Sequence, residues 1–327
     1  MSVHLAMAEG APGPTLVLDA EELPGTDAGI AAVLREARLF LGHAEYGPVL
    51  KFALVRSSPW PGYDLDYRFV QGLARDPGEF SFDSSCGHSL LAAVATRAAG
   101  RPLRVRVLNT GDSVVCERAR DGTYTLHFLP DTAPPLPWLL PTGRATDALV
   151  TDEGVLTGSA VRFGNPYVFV AAADLGLRGA RTLFGAGPDV LARLERLRTA
   201  ARAMLRLPEG SLLPKIAVLA AGRPGLLTAR SLTEPGWHPA FALTGLACLA
   251  AAVAIDGTIP HRLARSAGCG PSPLAVETPS GTVSVTLETS APSGGDPRRL
   301  RRVSVGGKRV RVLETGLRLP WRIHATA

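Results

Sequence analysis

Short runs in which apolar and polar residues alternate dominate the chain, and two apolar, small-residue stretches interrupt them. The alternating runs predict strands, because successive side chains on a strand point to opposite faces. In the first half they fall at 3–7, 15–18, 51–57, 65–74, 103–108, 113–118 and 124–128. A helix is predicted over 27–40, where Ile30, Val33 and Leu34 recur at helical spacing. Asn109-Thr110-Gly111-Asp112 is a hairpin turn between two of the strands. In the second half the same reasoning gives strands at 161–163, 167–172, 215–220, 274–278 and 282–288, with two more in the tail from 301 onward. Helices are predicted over 189–205 and 244–255. Between the halves, 130–143 is rich in proline, which favours an extended connector. The expected domains are therefore 1–138 and 139–312, with the last strand, 313–327, as a candidate to rejoin the first.

The two apolar stretches resemble one another. CGHSLLAAVA, from Cys86, aligns with TGLACLAAAV, from Thr244, and each is followed by a strand, a glycine-containing turn and a strand. A helix and hairpin in the same order in both halves imply two similar α+β domains facing each other. Their helix starts would then share one cleft, a natural place for an anion.

Composition narrows the class. The chain has 327 residues, of which 46% are hydrophobic and 20% charged, as expected for a folded protein. The net charge of +6 comes from dispersed arginines. The densest run, Arg298-Arg299-Leu300-Arg301-Arg302, lacks the aromatics and module of a nucleic-acid site. The longest apolar stretch, 240–255, falls short of the roughly 20 residues a membrane span needs. The amino terminus does not read as a signal peptide. Cys86, Cys116, Cys248 and Cys269 form no CxxC pair, so neither a metal site nor a disulfide framework is expected, and reduced thiols in the cytoplasm are. A small molecule is the expected partner, without nucleic acid, membrane, metal or cofactor, and with a homodimer as one possible assembly. Three lysines, Lys51, Lys215 and Lys308, stand against thirty-two arginines. Lysine offers a titratable amine where arginine does not, which draws attention to Lys51 and Lys215.

Chemistry concentrates at Asp83-Ser84-Ser85-Cys86-Gly87-His88, where a short run around Phe80 and Phe82 gives way to a helix predicted over 89–98. A thiol at a helix start meets unpaired N–H groups and a partial positive charge, which favour its thiolate. A buried packing thiol is the alternative reading of Cys86. His88 can be a base, a partner of the thiolate or a polar residue of the first turn. Thr244 and Gly245 can line the cleft or simply begin a helix.

The ordered segments KFALV from Lys51, DLDYRF from Asp64, SCGH from Ser85, LLPTG from Leu139, GNP from Gly164, ADLGL from Ala173, LPKIA from Leu213, LTG from Leu243 and PSGT from Pro279 resemble the PrpF family. That family includes 2-methylaconitate isomerases and 4-oxalomesaconate tautomerases. The resemblance implies two pseudo-symmetric domains of the diaminopimelate epimerase type, each a curled mixed sheet around a central helix. It implies a cofactor-independent isomerase that moves a C=C bond by a 1,3-proton shift, with Lys51 and Cys86 as acid and base. Ser85, Gly87, His88, Thr244 and Gly245 are then the expected substrate-binding residues.

The chain also departs from the family. Where the family carries a basic, carboxylate-binding loop, this sequence has Ala8-Glu9-Gly10-Ala11-Pro12-Gly13. Val49-Leu50 replaces the usual Thr-Ser, and His88 the usual Asn. A substrate less charged than a tricarboxylate, from specialised metabolism, is expected. A cyclase or lyase using the same cleft and a non-catalytic binder are the alternatives.

Overall fold

The computed structural model describes residues 2–42, 48–97, 100–290 and 297–319. The first half comprises β1 (Ser2–Ala8), β2 (Thr15–Asp19), α1 (Asp27–Leu41), β3 (Lys51–Ser57), β4 (Leu65–Gly72), β5 (Phe80–Ser81), α2 (Gly87–Ala95), β6 (Leu103–Val107), β7 (Ser113–Arg118) and β8 (Tyr124–Leu129). The second comprises β9 (Asp147–Thr151), β10 (Gly154–Arg162), β11 (Pro166–Ala171), α3 (Gly179–Phe184), α4 (Pro188–Met204), β12 (Lys215–Ala221), β13 (Leu227–Ser231), α5 (Leu243–Val253), α6 (Ile259–Ser266), β14 (Leu274–Thr278), β15 (Gly281–Thr289), β16 (Leu300–Lys308) and β17 (Val310–Arg318). The fold is a mixed α+β one, and among the described residues no helix is long and apolar enough to cross a membrane.

The repeat in the sequence reappears in the strand pairing. From β1 through β2, β3, β4, β6 and β7 to β8 the pairs run antiparallel, parallel, antiparallel, parallel, antiparallel, antiparallel. From β10 through β11, β12, β13, β14 and β15 to β16 they follow the same order. A parallel pair needs a crossover. In each half one parallel pair is joined through the central helix, α2 between β4 and β6 and α5 between β13 and β14. The halves are stitched where β8 pairs with β16 and where β17 pairs with β1. Of the anticipated last strand, 320–327 lies outside the described residues, as does Ala98 of the helix anticipated over 89–98.

The central helices are apolar all round because sheet surrounds them. Residues 87–94 of α2 and every residue of α5 are buried. Alanines keep the helices thin, and Leu90, Leu91, Leu246 and Leu249 fill the space to the strands. Each such leucine contributes about 2 kcal/mol by its burial. One core joins both helices across the halves. Separate clusters lie under α1 and under α4.

Several elements differ from the sequence expectation. Helix α2 starts at Gly87 with Cys86 as its N-cap. Helix α5 starts at Leu243 behind Ala242, so Thr244 sits inside the first turn and is not the cap. The strand expected at 161–163 overlaps only the end of β10, a nine-residue strand that stops at Arg162 and forms a hairpin with β9.

Candidate active site

Lys51 opens β3, whose register is fixed at that end by Gln71. The Gln71 amide donates to the carbonyls of Leu50 and Gly72, 3.0 Å each. The Lys51 side chain turns inward and is only 5% exposed. Its ammonium lies 3.7 Å from the Cys86 sulfur and 5.4 Å from the centre of the Phe69 ring.

Cys86 has extended backbone angles, φ −136° and ψ 112°, and the chain turns helical immediately after it. The buried Tyr67 hydroxyl donates to its carbonyl at 2.9 Å and holds the cap in place. Burial pushes the thiol pKa up. The Lys51 charge, the Ser89 hydroxyl and the amide N–H groups of Ser89 and His88 outweigh that and bring it below the ordinary thiol value. The other cysteines move the other way. Burial raises Cys116 strongly, Cys248 to about 12, and Cys269 as well.

The two helix starts meet through Asn165, which sequence reasoning placed in a matching segment without giving it a role. The Ser85 amide donates to Asn165 Oδ1 at 2.8 Å, and Asn165 Nδ2 donates to the Ser85 carbonyl at 2.8 Å and to Thr244 Oγ1 at 3.5 Å. One buried amide thus ties the loop before α2 to the first turn of α5. Gly164 ahead of it has φ +69°, a left-handed conformation that glycine adopts freely. The Gly164-Asn165-Pro166 run is the sequence signal that could have found it.

Gly87 and Gly245 owe their identity to close packing. A Cβ on Gly87 would lie 2.8 Å from Leu243 Cβ, and one on Gly245 would lie 2.6 Å from the Tyr167 hydroxyl. Ser85 and Thr244 flank Asn165, as described. His88 is 2% exposed and stacks on His238, with ring centres 5.3 Å apart. Burial and the Lys51 charge hold His88 neutral, with a pKa lowered to about 3. His238 is held well below its ordinary value by burial and by His88. The Ala240 amide donates to His238 Nδ1 at 3.1 Å, so the His238 proton resides on Nε2. Among the described residues His88 Nδ1 has no hydrogen-bond partner. Nothing in the sequence pairs residue 88 with residue 238.

Lys215, at the start of β12, is brought to about 8 by burial and Arg198, and the charges of Asp83, Lys51 and Cys86 act on it too. Asp66 is a structural carboxylate: Arg106 holds it with two bonds of 2.9 and 2.7 Å, aided by Arg56 and Ser58. Among the described residues no cluster of His, Cys, Asp and Glu is arranged to hold a metal ion.

A buried ammonium beside a thiol of lowered pKa, at two converging helix starts, is equipped to move protons next to an anion. A family model described as "PrpF protein" matches residues 123–320. The 4-oxalomesaconate tautomerase of Pseudomonas putida is 28% identical over 274 residues, covering 73% of this chain and 74% of that protein. The 3-methylitaconate isomerase of Eubacterium barkeri is 27% identical over 271 residues, covering 67% and 71%. Among solved structures, a methylitaconate-delta-isomerase superposes with a TM-score of 0.65 at 20% identity, covering 97% of this chain and 94% of the other. A hydroxyproline epimerase from Agrobacterium vitis gives 0.55 at 17%, covering 96% and 91%. These likenesses establish the racemase- and epimerase-like fold.

Proposed function

The chain belongs to the PrpF family, and on that premise we propose that it is an isomerase moving a carbon–carbon double bond by a 1,3-proton shift in a small unsaturated acid, without a cofactor, with Cys86 and Lys51 as its acid/base pair. The named relatives are isomerases and tautomerases of such acids. The observation that carries the reading is the 3.7 Å separation of Lys51 Nζ and Cys86 Sγ at the start of α2.

In this mechanism the Cys86 thiolate takes a proton from the carbon beside a carboxylate or carbonyl. The electron pair left behind spreads over the adjacent double bond as an enolate-like anion. The Lys51 ammonium returns a proton at the far carbon of the three-carbon unit, and the product has the same composition as the substrate. The N–H groups at the starts of α2 and α5 face the charge that develops, and burial keeps water from screening it. A positioned acid and base contribute about 10²–10⁴-fold in rate. Ser85 and Thr244 contribute through the Asn165 bridge, and His88 as a neutral imidazole. The division into 1–138, with the last strand returning to it, and 139–312 belongs to the same reading.

Incubation with 3-methylitaconate and with 4-oxalomesaconate in D₂O, followed by proton NMR, tests the function. Deuterium entering the allylic position with the wild type, and not with C86A, supports it. Full exchange by C86A, or none with any unsaturated acid supplied to the wild type, would refute it.

A further inference from the structure

A groove of about 560 Å³ runs along the strands β8, β15 and β16 and ends at the turn between β1 and β2. Its walls are hydroxyls and glycines, among them Thr125, Ser280, Thr282 and Gly306, and its cationic lining residue is Lys308. The groove end is built from two turns locked together. The Glu9 amide donates to the Arg309 carbonyl at 2.8 Å, and the Arg309 amide donates to Glu9 Oε2 at 3.3 Å. Between them lies Gly10, where a Cβ would come within 3.6 Å of His88 Nε2. The groove therefore abuts the imidazole that follows Cys86 by two residues.

Lys308 is half-buried at this junction. Its carboxylate neighbour, Glu9, opposes the cost of that burial only in part, and the Lys308 charge reaches His88. Among the described residues no hydrogen bond or ion pair engages its ammonium. A half-buried cation whose burial one carboxylate offsets only in part is better accommodated when a further anion completes it. All three lysines of this arginine-rich chain act on one neighbourhood: Lys51 on Cys86, Lys215 through the charges of both, and Lys308 on His88.

We propose that Lys308 is a specificity-determining residue that binds the carboxylate of the substrate remote from the transferred proton. The β16–β17 turn thus supplies the cation that the Glu9-Gly10 turn lacks. With one such cation, the site selects an acid with a single remote carboxylate over one with none. This rests on the isomerase reading for what the reacting end of the molecule is, while recognition of the remote end is measured without turnover.

The probes are two saturated acids that cannot isomerise, methylsuccinate with two carboxylates and butyrate with one, titrated into the full chain by calorimetry or saturation-transfer NMR. The wild type binds methylsuccinate at least about tenfold tighter than butyrate, the scale of one charge-assisted contact. K308M brings the two affinities together and K308R restores the difference, while the melting temperature of each variant reports on folding. An unchanged preference in a folded K308M, or a wild type that binds neither acid or both equally, overturns the proposal. A preference that depends on Lys308 in a protein that never incorporates deuterium sinks the isomerase reading and leaves this one standing.

Discussion

At Cys86 burial and local charge oppose each other, and the charge wins. The same burial acts unopposed on Cys116 and nearly so on Cys248. Iodoacetamide at neutral pH should therefore label Cys86 ahead of Cys116 and Cys248, as peptide mass spectrometry would read. K51M should raise the pH midpoint of that labelling, because the ammonium that favours the thiolate is gone. The stacked imidazoles make a second prediction. Both have folded pKa values below the ordinary histidine value of 6.5, so the unfolded chain takes up protons that the folded one refuses. Stability is then intact above about pH 6.5 and falls as pH drops below it, by about 1.4 kcal/mol per pH unit for each histidine. Denaturant melts from pH 7.5 to 5 check the slope, and H238N should reduce it by about half, because His88 remains. Cys86 stood out in the sequence because helix-start chemistry is local, whereas Lys51 entered as its partner through the family resemblance, lysine scarcity having only drawn attention to it. His238 was not, since its contact with His88 depends on how the halves meet.

One side chain, Asn165, ties the two helix starts together. N165A would leave the buried Ser85 amide and carbonyl without their partner, at a cost of about 3 kcal/mol. Thermal denaturation should show that loss, and turnover should fall further than stability does, because the loop carrying Cys86 is released. G87A tests the same contact from the other side. Its new methyl meets Leu243 at 2.8 Å, so α2 and α5 must separate or strain by about 1–3 kcal/mol. Among the elements, β3 and β7 agree with the alternation to the residue, and both central helices follow from their apolar runs. Helix α6 escaped the pattern because it buries only Ile259, Pro260 and Ala264 of eight residues. Strand β13 escaped because Arg230 interrupts its apolar run, its guanidinium packing 4.1 Å from the centre of the Trp237 ring.

Across the whole molecule, β16 and β17 belong to different neighbourhoods: β16 closes against β8 and β15, β17 against β1. The last described strand thus pairs with the opposite half, and the first half's sheet is flanked at both ends by strands of the second. Calorimetry should show one unfolding transition for the two halves. Termination after residue 309 should strip β1 of β17, one of its two partners, along Ser2–Ala8 and yield insoluble protein, since an open edge of that length invites pairing with other chains. The order of parallel and antiparallel pairs was foreshadowed by the repeated helix and hairpin. The joining of the halves was not, because register between distant strands is set by packing that no local spacing encodes.

The Asn165 bridge concentrates positive charge. It holds together two helix ends that each carry about half a positive charge, with Lys51, Lys215 and Lys308 around them. Unfolding lets these charges drift apart, so the empty folded protein bears a mutual repulsion that the unfolded chain escapes. Any small anion that occupies the gap relieves it and acts as a folding ligand. Sulfate should accordingly raise the melting temperature more than an equal ionic strength of chloride, with the difference shrinking in K308M.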